Sequence, residues 1–430
     1  MTPRPLPASE SAITALGAGR WALTGLLAAV SLAFGLVACG GGGSSATESL
    51  ASAASPGVTA TGFTQGVITG FGSIIVNGVR FDETSATITD DSDTALSASG
   101  LKLGMQVEVD HATVNASART ASAVAVRYGS LATGPVAAVN TSANTLTVLG
   151  QVVDISSSTV FSDALSAGLG AVTVGSVIEV HGQVDATTGH IAASRIEPIT
   201  TTTAATRYKL RGTVAGLDTS AKTFSIGGAV ISYAGLASTA VPSTLANGLS
   251  LRVLLATTQT AGQWVAQSLG AKGVRKVADH STGHVRGKIT AFTSFTSSAS
   301  FTVGNVVVAA SAATFPDGSS GLALGVEVEV EGTVTNNVLV ATSVGIESKH
   351  QAEPGHGLAL IGAITAFDAT AKTFVVRNVS VSYGDATTYL NGVVGDLAVG
   401  KTVSVTGTLG KQRHDSVQAG QITFTAATGT

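Results

Sequence analysis

The stretch Leu322–Gly332, LALGVEVEVEG, decides how the rest of the chain reads. Val326, Val328 and Val330 alternate with Glu327, Glu329 and Glu331, so an extended backbone here has one apolar and one wet face. The phrase recurs as LKLGMQVEVD at 101–110, VTVGSVIEVHG at 172–182, LANGLSLRVL at 245–254 and LAVGKTVSVTG at 397–407. Five copies of one strand-plus-turn phrase mark a repeat protein.

Each copy lies inside a longer unit, at 65–128, 130–197, 209–273, 284–347 and 359–427. A unit opens with a short strand around a glycine, such as GVITGF at 66 or GAITAF at 362. A hairpin follows: SIIV-NG-VRF, TLTV-LG-QVV, TFSI-GG-AVI, SFTV-GN-VVV and TFVV-RN-VSV. Every turn contains Gly or Asn, which tolerate the positive φ of the tight hairpin turns. A Thr-containing step and a Ser/Gly/Asp-rich loop or short helical turn lead into the organising strand. A last strand, such as ASAVAVRY or LVATSVGI, closes the unit.

Five strands of about five to seven residues, with the long connection between strands three and four, suit a small OB-type barrel. The fold expected is therefore all-β: a tandem array of five OB-like five-stranded β-barrels. A unit this small hides only about 60 % of its unfolded surface and is marginal alone. Polar linkers at 198–208, 274–283 and 348–358 favour semi-independent beads, with units one and two stiffened where they abut at Gly129. Lateral packing of the units is the alternative.

The composition agrees with thin β-structure. Charged residues are 11 % and aromatics 5 % of the chain, and the net charge of −3 offers no general attraction to nucleic acid or anionic lipid.

Residues 1–38 read as an export signal. Arg4 and Arg20 supply the positive region, and an uncharged run from Trp21 ends in Leu36-Val37-Ala38-Cys39. Leu-x-small-Cys resembles the bacterial lipobox, in which cleavage before the cysteine is coupled to lipidation of its thiol. Cys39 is then the lipidation site and the membrane anchor. An uncleaved anchor, or cleavage without lipid, are the other readings. Cys39 is the only cysteine, so no disulfide forms within the chain. Gly40 follows where an inner-membrane retention signal would carry Asp, which favours the outer membrane, facing periplasm or cell surface. Residues 39–62 form a Gly/Ser tether. Cleavage removes Arg4, Arg20 and Glu10 and leaves the mature chain at −4.

GVITGFGSIIVNGVRF at 66–81, followed by LKLGMQVEV and ASAVAVRY, resembles a bacterial repeat family known as domain of unknown function 5666. Units four and five share the pattern, whereas units two and three depart in the hairpin turn and the Val-x-Val strand; unit three reads LSLRVLL. The resemblance implies cell-envelope lipoproteins made of small OB-like barrels, in five copies here. It implies no activity and no functional residues.

Phosphate-loop, serine-elbow, HExxH and paired-cysteine patterns are missing from the sequence. Three weaker features remain. Asp82, Glu83, Asp90, Asp91 and Asp93 offer oxygens to calcium but lack the glycine and distal Glu of a calcium loop. His280, His284, His350 and His356, with Glu353, sit in or beside linkers and read as ordinary linker histidines before metal ligands. Lys272, Arg275, Lys276, Arg286 and Lys288 form a basic run, diluted by Asp279, that suits lipopolysaccharide phosphates or another anionic glycan. Single-strand nucleic-acid binders need stacking aromatics on a positive groove, whereas these hairpin strands carry Val, Ile and Ser outward and the mature chain is acidic. The expectation is a non-catalytic envelope lipoprotein, without cofactor, metal or nucleic acid, acting as spacer or as protein- or glycan-binding modules. The alternatives are an envelope enzyme with its site in a divergent unit, foremost unit three around Trp264, or a metal-binding envelope protein.

Overall fold

The first strand of each unit serves two partners; it is long and continuous except in unit three, where it breaks at Val214 into Tyr208–Thr213 and Ala215–Asp218. A computed structural model describes residues 59–91, 94–199, 207–270, 279, 282–293, 300–347, 358–410 and 416–425. In unit one, the first half of Gly62–Phe71 pairs antiparallel with Gln106–His111, from Gly62↔His111 to Val67↔Gln106; this is the fourth strand of the barrel once the short Thr87–Asp90, which lies parallel beside the closing strand, is set apart. The second half of Gly62–Phe71 pairs with the second strand, Ile74–Val76, and the register shifts between Ile68 and Gly70. The third strand, Val79–Asp82, then runs parallel to the last, Thr120–Tyr128, which pairs with the fourth. Strand order 1-2-3-5-4-1 is therefore closed, as an OB-like barrel requires.

The other units repeat this circuit. Parallel closure joins Val153 to Ile191, Ile231 to Trp264, Val308 to Leu339 and Val381 to Val417. The bulge in strand one recurs at Val136/Ala138, Ile289/Ala291 and Ile364/Ala366. Strands reach 12 residues in Thr282–Thr293, longer than the five to seven that turn spacing suggests, because strand one spans both halves of the barrel. Among the described residues no helix is long and apolar enough to cross a membrane.

One glycine in the repeated phrase fixes the bend. Gly104, Gly175, Gly248, Gly325 and Gly400 all have φ between +78° and +89°, where a side chain is strained. Each donates its N–H to strand one, at Ile68, Val136, Val214, Ile289 and Ile364 O respectively, 2.8–2.9 Å away. The same five residues donate back to the carbonyls of Met105, Ser176, Leu249, Val326 and Lys401. Beyond this latch the organising strand alternates as its sequence dictates: Val328 and Val330 are fully buried, and Glu327, Glu329 and Glu331 face outward.

The hairpin turns use positive φ at both central residues in Asn77-Gly78, Leu149-Gly150 and Arg377-Asn378, and only at the first in Gly227-Gly228 and Gly304-Asn305. These are the torsions of type I′ and II′ turns. The Thr step ties the loop to the closing strand. Thr159 Oγ1 donates to Ala193 O at 2.8 Å, Thr314 Oγ1 to Thr342 O at 3.1 Å and Thr387 Oγ1 to Ala419 O at 2.9 Å.

The units are not beads. All the described residues belong to one compact body, Pro56–Thr430. Each half of a bent first strand uses one edge inside its barrel and leaves the other open. Among the described residues, every strand pairing between units joins two such first strands: Gly62–Gln65 with Thr282–Val285, Gly70-Phe71 with Ala359-Leu360, and Ala132-Thr133 with Leu210-Lys209. Covering an open strand edge removes a template for aggregation.

The apolar cores merge accordingly. Units one and five share a cluster through Ile68, Phe81, Leu360 and Phe374, units two and three share another, and Phe63 of unit one enters the core of unit four. Sharing gives each barrel the burial it lacks alone. Units one and two meet without a strand pair, through Val160 against the first core and the buried Arg195 reaching Leu103 O at 3.0 Å.

The unit one–five pairing has a steric check. A Cβ on Gly70 would overlap Ala359 O, whereas one on Gly100 would meet open space. Gly70→Val should therefore lower stability by roughly 1–3 kcal/mol, the usual cost of overpacking. Gly100→Val should leave it within about 0.5 kcal/mol, as surface changes do. Urea unfolding of the two variants checks both.

Candidate functional site

The outward set of the organising strand in unit one, Gln106, Glu108 and Asp110, follows directly from its alternation with buried Val107, Val109 and His111. Unit association turns part of this outward face into the wall of a cleft. The cleft, about 510 Å³, lies where units one to four meet. Gln65, Gln106, Glu108, Arg127 and Tyr128 come from unit one, Gln183 from unit two, Arg211 and Ser250 from unit three, and Thr290 and Asn305 from unit four.

Its hydrogen-bonding capacity is partly unspent. Gln65 is 5 % exposed, and its Oε1 has no hydrogen-bond partner among the described residues; neither side-chain amide atom of Gln106 has one. Buried amides without partners cost about 1–3 kcal/mol each, a cost that a polar ligand can relieve. Gln183 Oε1, by contrast, accepts from the Lys288 backbone N–H at 2.5 Å and locks unit two to unit four.

A layer of charge lies beside the cleft. Asp91 Oδ1 faces Lys209 Nζ at 3.2 Å and Arg252 Nη1 at 3.7 Å, tying units one and three. Lys288 Nζ reaches Asp185 Oδ2 at 2.8 Å across units four and two. Burial opposes ionisation of Asp185, but Lys288 and Thr187 outweigh it and hold the carboxyl well below its ordinary value. Arg195, 1 % exposed, holds Glu197 Oε2 at 3.0 Å. Burial raises Glu197, and His181 and Arg195 more than offset this, bringing it down to about 2. Tyr128 is raised above its ordinary value by burial and by Glu179, Asp90, Glu197 and Asp91.

The residues singled out in the sequence are dispersed. Asp82 Oδ1 accepts from Thr84, Glu83 Oε2 from Ile74 N, and Asp90 Oδ1 from Thr94 N, so these carboxylates fasten separate turns. Asp91 alone of that group lines the cleft, and Asp93 lies outside the described residues. His284 bonds Glu329 Oε1 at 2.5 Å, across a strand pair. His280, His350, Glu353 and His356 lie outside the described residues.

The basic run is divided. Lys272, Arg275 and Lys276 also lie outside the described residues, Asp279 is exposed, and Lys288 is paired as above. Arg286 is held by Glu347 at 2.6 Å and Glu327 at 3.2 Å, so neither Arg286 nor Lys288 forms an open cationic patch. Trp264 packs edge-on against Tyr208 at 5.7 Å within unit three, outside the cleft. Cys39 and the preceding signal lie outside the described residues.

Comparison with known proteins bears on this architecture. The profile of a domain of unknown function, DUF5666, matches residues 64–125, 133–197, 286–345 and 361–423, more than half of the chain. The chain belongs to this family. The match corrects the expected five DUF5666 copies to four: unit three, with its LSLRVLL strand, is unmatched, although its strands pair in the same order as the rest. Among curated proteins nothing matches. Four chains of known structure match, among them drosophila Unr CSD456 at 12 % identity, covering 50 % of this chain and 97 % of that one with a TM-score of 0.13.

The unit one–four seam carries a titratable group. His111, 2 % exposed, sits beneath Gly62 and beside Thr282, with Nε2 3.0 Å from Thr64 Oγ1 and Nδ1 2.7 Å from Ala112 O. Burial, foremost, holds it below its ordinary 6.5; Ala112 O and Asp110 oppose the shift, and nearby His284 reinforces it. The unfolded chain therefore takes up this proton first. Stability from His111 is full above about pH 6.5 and declines as pH falls through that value toward the folded one. Urea midpoints between pH 7.5 and 5 should drop more steeply for the native chain than for His111→Gln.

Proposed function

We propose that the chain is a non-catalytic lipoprotein of the cell envelope, anchored through Cys39 at the outer membrane, whose packed barrels form a binding platform for an envelope glycan or protein. The observation that carries the binding role is the four-unit cleft with the unspent amides of Gln65 and Gln106. A stalk would keep its units in a row. Here first strands pair sideways, which shortens the reach of the array and creates a composite surface. Amides and hydroxyls from Gln65, Gln106, Ser250, Thr290 and Asn305 suit a ligand rich in hydroxyl or amide groups, while Arg127 and Arg211 tolerate acidic substituents.

The non-catalytic reading rests on how the ionisable groups are used. Asp91, Lys209, Arg252, Asp185 and Lys288 pair with one another across unit boundaries, a structural assignment for each. The anchor rests on the LVAC motif and the uncharged run before it. Nucleic acid is not a partner in this reading, given the acidic mature chain and its envelope location.

Two measurements test it. Mass spectrometry of the N-terminal peptide should find Cys39 acylated, and Cys39→Ser should move the protein out of the membrane fraction; an unmodified native Cys39 ends the anchor. Muropeptides and lipopolysaccharide, titrated separately against the full-length protein in detergent, should include a binder. Gln65→Ala with Gln106→Ala should weaken it by about tenfold or more, the effect of losing two hydrogen bonds of about 1 kcal/mol each. Equal binding by the variant would remove the cleft from the account.

A further inference from the structure

Unit two differs from its siblings at one outward position of the organising strand. The residues equivalent by the bulge are Asp110, His181, Leu254, Glu331 and Thr406. Only unit two places an imidazole there. His181 shares its face of the strand with Glu179, and Glu179 lies directly across from Glu197 on the closing strand. Two carboxylates opposite one another on an antiparallel pair repel.

The geometry around His181 is unusual for a buried residue. It is 0 % exposed, and neither ring nitrogen has a hydrogen-bond partner among the described residues. Nε2 stands 3.8 Å from Glu179 Oε1 and 3.7 Å from Glu197 Oε1. These separations exceed a hydrogen bond. They approach the spacing of two atoms bound to one cation: ligands about 2.1 Å from a tetrahedral ion stand roughly 3.4 Å apart. The three ligand atoms all lie within 4.8 Å of each other.

We propose that Glu179, His181 and Glu197 form a three-ligand site for a divalent transition-metal ion. The mixed imidazole and carboxylate set suits zinc or its first-row neighbours better than calcium, which takes oxygens alone. Metal ligation would neutralise the facing carboxylates and use the orphaned ring nitrogen. Arg195 bonds Glu197 through Oε2 and so orients the carboxylate with Oε1 toward His181. Lys209 lies 3.9 Å from Glu179 Oε1 and competes with the ion, but Asp91 holds it more closely, at 3.2 Å. The Tyr128 ring of unit one, 6.2 Å from the imidazole, covers the site from outside unit two. Metal would therefore stiffen the junction of units one, two and three. The proposal is independent of the glycan or protein ligand of the cleft.

The test is calorimetric titration of the chelator-stripped, full-length protein in detergent with Zn2+ at pH 7.5, followed by thermal unfolding with and without the ion. The native chain should bind zinc and unfold at a higher temperature in its presence. His181→Gln should lose one equivalent and the thermal gain. Glu179→Gln, a milder change at a partly exposed residue, should weaken that equivalent by at least about tenfold, since even outer partners of a metal site contribute roughly 10–100-fold. Lys209→Gln should tighten it. Zinc binding that is unchanged in Glu179→Gln and His181→Gln places the metal on other histidines and overturns the proposal, as does a native chain that binds no zinc. If His181→Gln does not fold, the Glu179→Gln and Lys209→Gln isotherms decide, and equal affinities for all three folded forms refute the site.

Discussion

The bend in strand one is the constraint on which the rest depends. A straight strand could serve one side of a barrel; this one must turn mid-length to serve both, and the glycine latch at residues 104, 175, 248, 325 and 400 holds the turn by two backbone hydrogen bonds per unit. Bending closes the barrel and at the same time leaves opposite edges unpaired. The three inter-unit strand pairings among the described residues arise at those edges. Barrel closure and unit association are thus consequences of one local geometry.

Much of the single unit was legible in the sequence. The Val/Glu alternation at 326–331 places Val328 and Val330 inside, and the Gly- and Asn-containing turns adopt the torsions their chemistry favours. Leu149 and Arg377, at φ of +49° and +52°, go beyond that rule, since Gly150 and Asn378 supplied the sequence signal. Strand one was underestimated in length because a bulge interrupts the period-two pattern without ending the strand. The association of units was not legible at all. Polar linkers report on solvation of the connections, not on which open edges find each other, and Gly70 in unit one carries no mark that its neighbour is Ala359 of unit five.

The candidate site divides in the same way. Gln106 and Glu108 could be placed outside their barrel from alternation alone, but a cleft exists only after four units assemble. Attention to histidines in linkers passed over His181, which lies in the organising strand itself. Aligning the five copies of that strand, and asking where one alone carries a histidine, points to it. Arg286 and Lys288 show the reverse error: adjacency in sequence suggested a basic patch, while strand pairing gave each a carboxylate partner from elsewhere.

The shared core of units one and five also sets the order of assembly. Phe71 finds Leu360 as its strand neighbour, and Phe81 lies in the same apolar cluster as Phe374. During synthesis unit one therefore keeps part of its apolar surface uncovered until unit five exists. Long-range closure of this kind slows folding, because the loop between the ends must be drawn in before the contacts that reward it. For such a chain unit five acts as the keystone, and a chain that stops before it would leave unit one with an uncapped edge.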